Sequence, residues 1–434
     1  MGAAPGLLWG KYFQFNREES SVLLDPVSLE SVYLSRREIS DLSAATHGTS
    51  THHALAALGF TPGGNPVDRR PALLARLTDL GISPIPVRVG GMRVCLTDRC
   101  NMTCTYCFVD TNSGKADMTK EELIAGLTYL FEENAGQKQV NIQWFGGEPT
   151  IRFDLMQFGD TLADALAERH GVHRVRRTVV TNGARLTDDM LNHFTAYGYG
   201  VGVSIDGIPS VNQQNRTLLG GQPADNRIRD NVRRLLETSN INVGCNLTPT
   251  PANVTRLAET VAWIIDDLGL KFIYTNTPIP TTGRWLIDGQ QLAHGLYEAR
   301  MTALAKGGMM FSVLDRAFQA LDTRRPMLLD HMQGDRTLNA ALLPGGRVSL
   351  CDINFEEPSF LFTLDELRED PSRMSAVAKQ VAPVPACEVC PALAVCGGPS
   401  RNEQVLVDDA PDPQMCSFYQ TTVEIAAWDS TGIQ

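Results

Sequence analysis

The feature that most constrains this chain is an alternation of strand-like and helix-like segments between residues 91 and 285. Short β-branched or apolar runs occur at Met92–Leu96, Val140–Phe145, Arg177–Thr181, Val201–Ile205, Asn242–Leu247 and Lys271–Asn276. Amphipathic stretches separate them at Lys120–Glu133, Asp154–Arg169, Asp188–Tyr197, Arg227–Glu237 and Val254–Leu268. Regular β–α alternation predicts parallel strands joined by right-handed crossovers, and about six such units curl into a partial TIM-type barrel. In barrels, function sits on the loops after the strands. Those positions hold Cys100, Gly146–Pro149, Thr181–Gly183, Ser204–Gly207 and Leu247–Thr250.

The flanks read differently. Residues 1–90 carry strand-like runs at Lys11–Asn16, Ser21–Asp25 and Ser31–Ser35, then helical patterns at Arg36–Ala44, Thr51–Gly59 and Pro71–Leu80. This order predicts a winged-helix-like α+β domain. Residues 286–434 lose the alternation after a helix candidate at Leu292–Lys306, and Val384–Pro399 is rich in Cys, Pro and Gly. Such a segment needs something other than a core to hold it, and a metal serves. The expected division is 1–90, 91–285 and 286–434, in keeping with a length of 434 residues.

Composition narrows the function classes. Apolar residues make up 43% and charged residues 20%, enough for a buried core. Acidic residues outnumber basic ones, 49 to 38, which argues against a general nucleic-acid binder. No apolar run approaches the roughly 20 residues of a membrane span. Met1–Lys11 has no basic segment ahead of Leu7, Leu8 and Trp9, so no secretory signal is expected and a cytoplasmic location is.

The ten cysteines are concentrated. Cys100, Cys104 and Cys107 form one cluster; Cys387, Cys390 and Cys396 form another, with Cys416 beyond. Crowding into C-x2-C steps points to a shared metal more readily than to disulfides. Zinc, iron–sulfur and redox thiols are the options. Three thiols without a nearby His are one ligand short of an ordinary zinc site. Three thiolates on an iron–sulfur cubane leave one iron open to an outside ligand. Cys95 and Cys245 fall inside strand patterns and are expected to be buried thiols.

The run Cys100-Asn-Met-Thr-Cys104-Thr-Tyr-Cys107 follows a strand and has C-x3-C-x2-C spacing. Together with Gly146-Gly147-Glu148-Pro149, Thr181-Asn182-Gly183 and Ser204-Ile-Asp206-Gly207, it closely resembles the signature of radical S-adenosylmethionine (radical SAM) enzymes. The resemblance implies that Cys100, Cys104 and Cys107 hold a 4Fe–4S cluster whose free iron chelates S-adenosylmethionine. It implies cofactor contacts from Tyr106, Gly146, Gly147, Glu148, Asn182, Ser204, Arg216 and Leu247. The paired glycines are expected to let backbone approach the methionyl end, Glu148 to accept from its ammonium, and Arg216 to face its carboxylate.

The C-terminal part resembles a SPASM extension, the auxiliary-cluster region of peptide-modifying radical enzymes. Gly346-x4-Cys351, Cys387-x2-Cys390-x5-Cys396 and Cys416 match its run. Ser400 stands where the next ligand is expected, and the first Cys is missing, with His331 at a permissible distance. The family's ligand assignment then gives one auxiliary 4Fe–4S cluster, on Cys387, Cys390, Cys396 and Cys416; a zinc ion is the alternative the donor set accepts. Asp352, next to Cys351, matches a position that serves as a base in related sulfatase-maturing enzymes. Residues 1–90 are similar in pattern to the leader-binding domains of ribosomal-peptide maturases. The resemblance therefore implies a maturase that crosslinks a precursor peptide oxidatively, with a flavodoxin- or ferredoxin-type reductant. A formylglycine-forming oxidase or a small-molecule radical enzyme is the alternative.

Overall fold

The computed structural model describes residues 6–8, 12–43, 50–57, 60, 71, 75, 88–107, 116–276, 287–325, 337–350, 355, 357–374, 387, 390–396 and 412–432. Four N-terminal strands, β1 Gly6–Leu8, β2 Tyr12–Arg17, β3 Ser20–Leu24 and β4 Ser31–Ser35, form an antiparallel sheet in sequential order. The sequence reading expected three strands; β1 is the addition. Helices Arg36–Ser43 and Ser50–Ala57 follow, and the expected helix at Pro71–Leu80 lies largely outside the described residues. Period-2 alternation gives the sheet two apolar faces. Phe13, Phe15, Val22 and Leu24 join the main core, while Tyr12, Leu23 and Leu34 pack with Leu55 and Phe60 in a separate cluster.

The rest of the chain is organised on one large sheet. Its strands are β5 Arg88–Cys95, β7 Val140–Phe145, β8 Val175–Thr181, β9 Gly200–Ser204, β11 Asn242–Leu247, β12 Phe272–Thr275, β13 Met309–Phe311, β14 Thr337–Leu343, β15 Arg347–Ser349 and β16 Leu361–Thr363. The order is β13-β12-β11-β9-β8-β7-β5-β14-β15-β16. Every pairing from β13 to β14 is parallel, and β14-β15-β16 closes with antiparallel pairs. The small strands β6 Met102–Cys104 and β10 Arg216–Leu218 form a separate ribbon.

The six expected barrel strands are present and neighbour one another in chain order, which is the layout of a partial α/β barrel. One face carries Val201, Val203, Val243, Cys245, Leu247 and Ile273, all buried in the main core. The helices that cover it are signalled locally. Thr119 caps Lys120–Glu133 in a reciprocal box with Glu122, and left-handed Gly171 and Gly198 end Phe153–His170 and Asp188–Tyr197. Cys95 and Cys245 are buried as expected.

Four strands outside the expected six extend the sheet, β13 at one edge and β14, β15 and β16 at the other, all from the region where alternation fades. β13 is only three residues long and sits just past Gly307 and Gly308. β14 reads Thr-Leu-Asn-Ala-Ala-Leu-Leu, a poor strand former taken alone. Packing decides it. Leu342 fills the space over Gly126, where a Cβ would lie 2.2 Å from its Cδ2. The long helix Pro413–Asp429 was also not expected, although Asp412 accepts from the amides of Gln414 and Met415 and Pro413 opens the first turn. It packs on Gly289–Ala305, where a Cβ at Gly289 would lie 2.0 Å from the Gln414 carbonyl oxygen. Trp428, near its other end, meets the N-terminal sheet edge-on at Tyr33 and carries Arg17 over its ring. No helix among the described residues is long and apolar enough to cross a membrane.

Candidate cofactor site and a second thiol site

The first cysteine cluster leaves the C-terminal end of β5 and is stiffened at once. Thr97 bridges to Asp117, and Arg99 pairs with the same carboxylate. The β6–β10 ribbon then sets Arg216 opposite Cys104, and the Cys107 amide donates to the Cys104 carbonyl at 3.2 Å. All three thiols are half-buried on one short turn. Cys100 Sγ accepts from the Met102 amide at 3.4 Å and from Asn182 Nδ2 at 3.7 Å. Burial raises the Cys100 thiol pKa and pushes Cys104 up to about 12, with the Arg216 guanidinium pulling the latter back.

The loop after β7 packs on the chain leading into that turn. The Gly147 amide donates to the Thr97 carbonyl at 2.7 Å and the Glu148 amide to the Arg99 carbonyl at 2.9 Å. Gly146 has φ +134°, and a Cβ there would lie 2.4 Å from the Thr97 oxygen; one on Gly147 would lie 2.3 Å from the Arg99 oxygen. The close approach these glycines permit is thus to the protein's own backbone, where the sequence reading expected a ligand. Glu148 is fully buried. Its Oε1 accepts from the amide and hydroxyl of Thr150 and from the Thr181 hydroxyl at 2.8 Å; its Oε2 accepts from the Asn182 amide at 2.8 Å. The carboxylate fastens the loop after β7 to the loop after β8. Asn182 carries the chain of contacts onward, donating to Asn101 Oδ1 at 2.7 Å.

Ser204 ends β9 on the sheet face opposite the buried valines, and Asp206, just beyond, is fully buried. Tyr106 donates to Asp206 Oδ2 and accepts from Arg216 Nη1. Arg216 Nη1 stands 3.6 Å from the same carboxylate oxygen. Asp206 Oδ1 accepts from the Thr248 amide at 3.1 Å, and Asn253 Nδ2 donates to the Asp206 carbonyl at 2.8 Å. Burial raises the pKa of Asp206 and of Tyr106, and the guanidinium opposes both shifts. Arg216 Nε is buried and has no partner among the described residues. Sequence reasoning placed Asp206, Thr181 and Thr248 in the strand-end loops without giving them individual roles, and missed Thr150 and Asn253. The Asp-Gly step after a strand was a signal for the first; Asn253 had none. Leu247 shares the helix-facing side of β11 with Cys245 and is fully buried in the main core. Asp352, Cys351, Ser400 and His331 lie outside the described residues.

The second group converges. Cys387, Cys390, Cys396 and Cys416 line one small pocket with Ala392, Leu393, Met415 and Tyr419. Cys396 ends the short helix Leu393–Cys396, and Cys416 stands in the first turn of Pro413–Asp429. Gln420, one turn later, places Nε2 3.6 Å from Cys390 Sγ. Among the described residues, no three His, Cys, Asp or Glu side chains are gathered tightly enough to share a single ion. Four thiols around one pocket form a donor set that accepts a 4Fe–4S cluster as well as a zinc ion.

Comparison with known proteins bears on the barrel first. The family model of the Radical SAM superfamily matches residues 94–261. An uncharacterised protein of Methanocaldococcus jannaschii is 26% identical over 172 residues, 39% of this chain and 56% of that protein. A GTP 3′,8-cyclase of Tolumonas auensis is 35% identical over 120 residues, 27% of this chain and 33% of the relative. The chain therefore spans only between a third and somewhat over half of the length of these curated relatives. Among solved structures, anSMEcpe with bound AdoMet superposes with a TM-score of 0.62 at 15% identity, covering 78% of this chain and 97% of that one. Streptococcus suis SuiB bound to precursor peptide SuiA superposes with a TM-score of 0.56 at 15% identity, covering 91% and 94%. These likenesses establish a shared fold. The family match covers residues 94–261, so the barrel region of this chain, with the three-thiol turn at the end of β5 and the loops fastened around it, is a Radical SAM domain.

Proposed function

We propose that this chain is a peptide maturase: it removes a hydrogen atom from a ribosomal precursor peptide and forms an oxidative crosslink between side chains of that peptide. Members of the superfamily take S-adenosylmethionine and a 4Fe–4S cluster, which together supply a 5′-deoxyadenosyl radical on reduction. Cys100, Cys104 and Cys107 hold that cluster through three thiolates. Arg216, with a buried N–H to spare, takes the carboxylate end of the sulfonium cofactor. Tyr106, Asn182 and Ser204 line the same mouth. Gly146, Gly147 and Glu148 shape it by locking three strand-end loops to one another. Cys387, Cys390, Cys396 and Cys416 would hold an auxiliary 4Fe–4S cluster, which would supply an electron acceptor for the substrate. Asp352 is assigned the accompanying proton.

The observation that carries the peptide reading is the extent of the likeness to SuiB, a protein solved with a precursor peptide. Only 9% of this chain falls outside that match, so at least half of residues 1–90 lies within it. We assign residues 1–90 to leader binding, by addition of a strand to an edge of the β1–β4 sheet. The division at 90 and 285, a cytoplasmic setting and a flavodoxin- or ferredoxin-type reductant belong to the same proposal.

The formylglycine reading is the second, favoured by the likeness to anSMEcpe, also solved with a Cp18Cys peptide. Co-expression with a small peptide encoded beside the gene, followed by mass spectrometry, separates the two. A peptide lighter by two hydrogens, unreactive to hydrazide and crosslinked in fragmentation spectra, is the expected result. A hydrazide-reactive aldehyde supports the second reading, and an unmodified peptide in the presence of 5′-deoxyadenosine formation refutes both.

A further inference from the structure

Gln420 belongs to no motif that the sequence reading used, yet it lies against the second thiol site. Its helix, Pro413–Asp429, supplies Cys416 as a pocket-lining thiol. Four residues later the same helix face carries Gln420, whose Nε2 lies 3.6 Å from Cys390 Sγ. Cys390 also accepts from the Ala392 amide, two residues ahead. The first site has the same two donors. Cys100 Sγ accepts from the amide two residues on, at Met102, and from a side-chain amide of a different loop, Asn182.

We infer that Gln420 donates a hydrogen bond to the Cys390 thiolate of the auxiliary cluster and so raises that cluster's reduction potential. The inference rests on the auxiliary cluster proposed above. A reduced cluster carries one more negative charge, part of it on the ligating sulfurs. An N–H aimed at such a sulfur stabilises the reduced form more than the oxidised one. Beyond the four thiols the pocket is lined by Ala392, Leu393, Met415 and Tyr419, a largely apolar wall that makes each N–H count for more than it would in water. Gln420 is a tuning residue: it contacts a ligand of the cluster and leaves substrate alone. A higher potential makes the cluster the better electron acceptor, which is the direction an oxidative crosslink requires.

The test is a redox titration of the anaerobically reconstituted full-length protein, followed by electron paramagnetic resonance, with iron and sulfide measured on each sample. Gln420→Leu removes the donor at similar volume, and Gln420→Glu replaces it with a carboxylate of equal length. The expected result is a shift of the auxiliary midpoint to more negative potential in the Leu variant and further still in the Glu variant. Iron content and the midpoint of the other cluster stay at their wild-type values. A fully loaded Gln420→Leu protein that titrates at the wild-type midpoint, or above it, overturns the inference alone. A wild-type protein that binds only the first cluster overturns the auxiliary-cluster reading and this inference with it.

Discussion

The two thiol sites of this chain are built from opposite materials. Around Cys100, Cys104 and Cys107 the surroundings are polar and networked: Glu148 with its threonines, Asn182, and the Tyr106–Asp206–Arg216 group, drawn from five separate strand ends. Around Cys387, Cys390, Cys396 and Cys416 they are Ala392, Leu393, Met415 and Tyr419, supplied by one short helix and one long one. On the proposed reading, a site with three thiols and a buried guanidinium N–H that has no partner among the described residues is prepared for an outside ligand. A site with four thiols in an apolar pocket is closed, in the way that structural metal sites differ from catalytic ones. The polar site sits on strand-end loops fastened to one another, whereas the residues lining the apolar one, Ala392, Leu393, Met415 and Tyr419, belong to the same buried core as the barrel strands.

The largest effect that could break this contrast comes from the thiols. Cys104→Ala is expected to remove one cluster and abolish reductive cleavage of S-adenosylmethionine. Cys416→Ala removes the other and spares cleavage but stops peptide crosslinking. 5′-Deoxyadenosine and product, quantified in parallel, check this; equal loss of cleavage in both variants would erase the functional difference between the sites.

Next comes the buried charge under the first site. Asp206→Ala leaves the buried Arg216 without its carboxylate, and its expected cost is about 3–5 kcal/mol of stability. Denaturant unfolding measures it. Asp206→Ala combined with Arg216→Leu is expected to recover part of the loss while leaving cofactor affinity poor, a split that packing alone would not give.

Gly147→Ala tests the loop fastening. Its Cβ would press on the Arg99 backbone, and overpacking of this kind costs roughly 1–3 kcal/mol. Poorer iron loading of the first cluster, with the second unaffected, is expected by anaerobic reconstitution. The smallest effect is at the helix that carries Cys416: Asp412→Ala removes its N-cap at a cost of about 1 kcal/mol. Auxiliary-cluster loss on dilution should be faster in this variant, whereas the first cluster keeps its wild-type half-life.

How much of this was legible in the sequence follows the same division. The barrel strands were read to within a few residues because they alternate with amphipathic helices, some of which carry clear caps, as at Thr119 and Gly171. The thiol positions were legible from spacing. What stayed hidden depends on contacts between distant segments. β14 is a strand because Gly126 leaves room for Leu342 and β5 offers an edge, and neither fact is local. Gly146 and Gly147 were legible as special, but the partner they approach was not: only the fold brings Thr97 and Arg99 against them. That Leu247 shares its buried side of β11 with Cys245 follows from the pleat and was legible from the alternation. Gln420 gave no signal, because a polar residue one turn after a cysteine becomes meaningful only when Cys390 is brought beside it.

The central claim is that one chain holds two iron–sulfur clusters, an open one on three thiolates and a closed one on four. Iron, acid-labile sulfide and zinc, quantified together on anaerobically reconstituted protein, test it most directly. The account predicts about eight irons and eight sulfides per chain, two cubanes, with zinc absent. About four irons with one equivalent of zinc would contradict it, leaving the C-terminal pocket as an ordinary zinc site.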